Sequence, residues 1–118
     1  MCLFSCSTWA WEIKQKKGDY FLSNQAQDYA IFVDIGKPKF LNVKQLNADT
    51  KLVIHQAGEV GTSSLAVVKR CLVFKHNKYV DNVIYSVTKQ GKNIGTKWQI
   101  SDKKVELYDL RTGRKWTF

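Results

Sequence analysis

The sequence predicts an all-β domain, or a β-dominated α+β domain with at most one short helix. Two observations carry that reading. The stretch Ser64–Thr88 is the densest run of Val, Leu, Ile, Phe and Tyr in the chain, and it breaks once, at the polar Lys75-His76-Asn77-Lys78. β-branched and aromatic residues fit a pleated, half-buried surface, so this is a long hairpin. Around it, turn-forming clusters recur at short, regular intervals, which predicts about eight to ten short antiparallel strands in a sandwich or partly open barrel.

In the hairpin, apolar residues occupy both faces of each arm. Ala66, Val68, Leu72 and Phe74 oppose Leu65, Val67, Cys71 and Val73; Tyr79, Val83, Tyr85 and Val87 oppose Val80 and Ile84. That pattern belongs to a central strand covered on both sides, or to one that a bulge switches between faces. Asn77 tolerates positive φ, so the turn suits a two-residue type I or I′ loop.

Earlier in the chain, Trp11–Gln15 and Tyr20–Leu22 flank Lys16-Lys17-Gly18-Asp19, an opening hairpin. Ser23–Gln27 is polar, a loop or one helical turn capped by Ser23. Tyr29–Ile35 alternates cleanly and predicts a strand that Gly36-Lys37-Pro38 ends, since proline donates no ladder hydrogen bond. Phe40, Val43 and Leu46 fit helical spacing, whereas Leu41 and Val43 fit a strand. After the turn Asn47–Thr50, Lys51–His55 reads as a short strand, and Gly58–Ser64 as a flexible loop.

Later, Gln90–Asn93 turns. Ile94, Thr96, Trp98 and Ile100 alternate against Gly95, Lys97 and Gln99, a strand with one wet face. Ser101–Lys104 turns again. Val105–Leu110 and Arg114–Phe118 form a last hairpin with Gly113 in the left-handed position.

At 118 residues the chain is one domain, 11–118, preceded by the ambiguous segment 1–10. Leu3–Ala10 reads as the end of an export signal cleaved after Ala10; alternatively Met1–Trp11 is a first strand. The export-like segment lacks a basic flank, and its apolar part is shorter than the roughly 7–15 residues of a signal core. The expected location is therefore the periplasm or cell envelope, with the cytoplasm as alternative. No apolar run approaches the roughly 20 residues of a membrane span. Three cysteines, Cys2, Cys6 and Cys71, make no disulfide framework.

The net charge of +9 is uneven: residues 1–60 hold seven lysines and six acids, whereas residues 61–118 hold twelve Lys or Arg and four acids. The surplus falls in turns. Lys75, His76 and Lys78 lie in one, Lys89 and Lys92 in the next, then Lys103 and Lys104, then Arg111, Arg114 and Lys115. In a meander, successive turns alternate between the two ends of the stack, so the first and third groups share one end and the second and fourth the other. Tyr85 and Trp98 lie on the strands between, and these twelve residues are the expected binding set. Tyr79 and Trp116 are further rings there, and all four could equally be core. The partner class is an acidic protein or other polyanion, engaged by an inhibitor, immunity-type or adhesion protein. The alternative is single-stranded nucleic acid on a small OB-like barrel, with cations on phosphates and rings on bases.

Catalytic and cofactor patterns are missing from the sequence. Cys71 and His76 are five apart and point to opposite faces of a regular strand; Cys71 and His55 could meet across strands but lack an orienting third group. No Cys-x-x-Cys or His-x-x-x-His spacing offers a metal site, and Gly58-x-x-Gly61 lacks the lysine of a phosphate loop. The reading is a non-enzymatic binding domain without cofactor.

Overall fold

A computed structural model describes residues 11–33, 37–60 and 66–118. The export-like segment Met1–Ala10, the end of the Tyr29–Ile35 strand, and residues 61–65 lie outside them. The described residues form eleven antiparallel strands and no helix. These are β1 (Glu12–Lys16), β2 (Asp19–Ser23), β3 (Asp28–Ala30), β4 (Lys39–Gln45), β5 (Thr50–Val60), β6 (Ala66–Lys75), β7 (Lys78–Lys89), β8 (Lys92–Asn93), β9 (Thr96–Ile100), β10 (Val105–Asp109) and β11 (Lys115–Thr117). The all-β class holds, in the form of three sheets: β1-β2-β3, β4-β5-β6-β7-β8 and β11-β10-β9.

The five-stranded sheet is central, and β6 is its middle strand. Alternation along β5 and β6 sends Leu52, Ile54, Cys71 and Val73 to one side, where they pack with Val83 and with Leu107 of β10. Val53, Leu72 and Phe74 point the other way, onto Leu22 of β2 and Trp11. Both faces of the middle of the sheet are thus covered, which is why each hairpin arm carries apolar residues on both faces, although Tyr79 and Val80 at the start of β7 stay exposed. A third cluster, Ala57, Ala66, Val68 and Val87, closes the far end of the sheet.

Three tight turns share one device. Lys17-Gly18, His76-Asn77 and Gln90-Gly91 all have positive φ at both positions, between 52° and 88°. That is the type I′ geometry that continues the right-handed twist of the flanking strands.

Bulges explain most of the departures from the expected pattern. In β4 the register slips between Phe40 and Asn42, so Leu41 is the extra residue. Phe40 and Val43 therefore reach the same cluster despite odd spacing, while Leu41 packs on the opposite one. The helix-like period was a bulged strand. In β5 a slip between Gln56 and Gly58 lets pairing with β6 continue to Val60, so the Lys51–His55 strand is 11 residues long and Gly58–Val60 is ladder, not loop.

One other expectation is corrected, and the choice left open at Ser23–Gln27 falls to the loop. The strand expected at Tyr29–Ile35 stops at Ala30: Ile31 N–H still donates to Tyr20 O at 3.1 Å, but Ile31–Val33 form no further ladder although β2 begins at Asp19. The Ser23 helical cap does not form. Asn24 organises that bend, its Oδ1 accepting from Ala26 and Gln27 N–H at 2.8 Å, while Ser23 Oγ donates to Asp28.

Candidate functional site

The turns sort into two ends, as the meander requires. At the first end the β4–β5, β6–β7 and β9–β10 turns meet. His76 N–H donates to Asp49 O at 2.8 Å, and Asn47 Nδ2 donates to Ser101 O at 2.9 Å. A depression of about 370 Å³ lies there, lined by Leu46, Asn47, Ala48, Ile100, Ser101 and Asp102. Segments 46–51, 75–81 and 100–106 bring five Lys against four acids. His76 faces Asp49 at 3.5 Å, and Lys104 faces Glu106 at 3.7 Å. Lys75, Lys78 and Lys103 make no ion pair with a described residue.

At the second end the β7–β8 turn and the β10–β11 loop lie together, joined where Leu110 N–H donates to Gly95 O at 2.9 Å. Segments 89–97 and 109–115 hold six Lys or Arg and one acid, Asp109. That acid is 7% exposed and committed to the loop. Its Oδ1 accepts from Arg111 N–H at 2.9 Å and Thr112 N–H at 3.3 Å, and Gly113, at φ 79°, donates back to Asp109 O. Burial works against its charge, yet these hydrogen bonds and the Arg111 side chain hold its pKa below the usual carboxylate value. Lys89 and Lys92 make no ion pair with a described residue; Arg114 stacks on Trp116 at 4.5 Å, and Lys115 reaches Glu106 at 3.3 Å.

Asn93 builds the other half of this end. Its Oδ1 accepts from Val87, Gly95 and Thr96 N–H at 3.1–3.2 Å, and its Nδ2 donates to Thr96 Oγ1 at 2.9 Å. The chain then leaves the central sheet through Gly95. A Cβ there would sit 2.6 Å from Val87 Cγ2, so only glycine permits the approach. Tyr85 is the extra residue of a bulge in β7, and its freed carbonyl accepts from Thr96 Oγ1 at 2.7 Å and Trp98 Nε1 at 2.9 Å. This pins the C-terminal sheet to the central one.

Tyr85 and Trp98 are therefore not at either tip. Both are half-buried against the Leu107 cluster, with ring centroids 5.7 Å apart, and Lys44 Nζ donates to Tyr85 Oη at 3.3 Å. Ile94 and Ile100, which alternation placed toward the interior, instead face water, 50% exposed at the second end and 45% at the first; Leu110, 55% exposed, joins Ile94 at the second end. Ile94 follows the Asn93 clamp and precedes β9, so its strand register never starts; only the Asn93-Ile94-Gly95 sequence hinted at the break.

The histidine and cysteine do not converge. Ile54 pairs with Cys71 and His55 with Arg70, so Cys71 faces the C-terminal sheet and His55 the N-terminal one. Burial pushes the Cys71 thiol pKa well up. His55 is buried, donates from Nδ1 to Gln56 O at 3.2 Å, and has its pKa pushed down to about 4, burial being the main cause. Beside it Arg70 donates to Asn82 Oδ1 at 2.9 Å and packs on Phe32 at 4.9 Å. Among the described residues no three His, Cys, Asp or Glu gather to hold a metal, and no helix is long and apolar enough to cross a membrane.

No family model, curated protein or solved structure matches the chain.

Proposed function

We propose that the chain is a non-enzymatic binding domain that presents a basic surface to an acidic macromolecular partner, in the manner of an exported inhibitor, immunity-type or adhesion protein. The observation that carries this reading is the charge at the second end: of its six cations Arg111 faces Asp109 and Lys115 faces Glu106, while Lys89, Lys92, Lys97 and Arg114 make no ion pair with a described residue. Uncompensated cations on rigid turns steer an oppositely charged partner and accelerate its encounter. The export-like Leu3–Ala10 supports the envelope setting.

Single-stranded nucleic acid is the competing reading. It needs ring faces open to bases beside the cations. Tyr85 and Trp98 spend theirs on the core, and Trp116 is capped by Arg114, which favours a protein partner.

The test is binding of the full chain to polyglutamate and to single-stranded oligothymidine across a salt series. The proposal expects polyglutamate binding that weakens steeply as salt rises from about 50 to 200 mM. Lys92→Gln/Arg111→Gln should weaken it more than Lys75→Gln/Lys78→Gln. Oligothymidine bound more tightly at matched charge transfers the assignment to nucleic acid. Absence of binding to either contradicts a basic contact surface.

A further inference from the structure

We infer that the paired loops of the second end form an anchor site for an acidic protein segment that also carries aliphatic side chains. The inference rests on the basic-surface reading and adds what that surface recognises. Ile94 and Leu110 stand about half exposed on adjacent loops, tied together by the Leu110–Gly95 backbone hydrogen bond of 2.9 Å. Each loop is held from beneath by a polar side chain, Asn93 under one and Asp109 under the other. Loops that present side chains to a partner gain from being fixed in advance, because less ordering remains to be done on contact.

The composition of the site selects the partner. Lys92 lies two residues before Ile94 and Arg111 directly follows Leu110, so each aliphatic residue has a cation close by along the chain, the composition of a protein contact with a polar rim. Aliphatic side chains offer no stacking face for a base, so the same loops would gain little from nucleic acid. A second copy of this chain would bring a matching set of cations against the first, and repulsion disfavours that pairing.

A peptide of Glu-Glu-Leu repeats and a polyglutamate of equal charge separate the possibilities, each titrated into the full chain at low salt. Burying parts of two aliphatic side chains is expected to tighten the Leu-containing peptide about tenfold over polyglutamate. Ile94→Ser/Leu110→Ser should erase that difference while leaving polyglutamate binding and the thermal midpoint close to wild type. Equal binding of the two peptides, unaffected by the serine variant, overturns the aliphatic anchor and leaves the basic surface intact. Failure of both peptides to bind is instead the failure of the basic surface itself. A sedimentation coefficient showing a dimer that Ile94→Ser/Leu110→Ser dissolves overturns the proposal in favour of self-association.

Discussion

His55 carries no positive charge at neutral pH, because its imidazole is enclosed between sheets with the Arg70 guanidinium nearby. The unfolded chain protonates this histidine near pH 6.5, whereas the folded chain resists until about pH 4. Between those values the unfolded state binds the extra proton, so stability must fall as the pH drops through that window and be indifferent to this group above it. The loss is on the order of 3 kcal/mol. Urea unfolding of wild type and His55→Gln at pH 6.5 and pH 4.5 measures it: the wild type should lose stability more steeply than the variant, and equal slopes would exclude His55 as the source. At the same scale, Cys71 is shut away from reagent. In a Cys2→Ser/Cys6→Ser background, thiol labelling should proceed only as fast as the protein unfolds; rapid labelling of the folded protein would contradict the two-sided burial of β6.

Among the elements, the join between β8 and β9 is a point of close approach. Gly95→Ala drives a methyl into Val87 and should cost about 1–3 kcal/mol in chemical denaturation, as overpacking does. Val87→Ala opens the space, so the double variant should lose less than the sum of the two single losses; strict additivity would mean that the two residues do not touch. Much at this scale was legible in the sequence. Asn77, Gly18, Gly91 and Gly113 marked turns because each occupies the positive-φ region that its hairpin requires. The bulges were not legible. Leu41 and Ala57 shift register according to which partner carbonyls and amides are on offer, and that is decided by the neighbouring strand rather than by the local pattern. The same cause lengthened β5, which lasts as long as its partner β6 does.

For the whole molecule, the stacking of two small sheets on a five-stranded one followed from a feature visible at the outset, apolar residues on both faces of the Ser64–Thr88 hairpin. Which end holds the excess charge was only half visible. The four basic clusters and their alternation could be counted, and the turns fall at the ends that alternation assigns them. What the sequence hid was compensation, because the β4–β5 turn and Asp81 bring acids to the first end from outside the clusters, while Asp109 at the second is consumed internally. Ile94 was hidden for a related reason: period-two alternation counts a residue as interior when it lies in a strand, and Ile94 lies between β8 and β9.

The central claim is that one end of the stack, and not the other, is the contact surface. Amide chemical-shift mapping of the full chain during titration with polyglutamate tests it most directly. The predicted result is a set of perturbations concentrated in residues 89–97 and 109–115. Perturbations centred on residues 75–78 and 101–104, or shared evenly between the two ends, would contradict it.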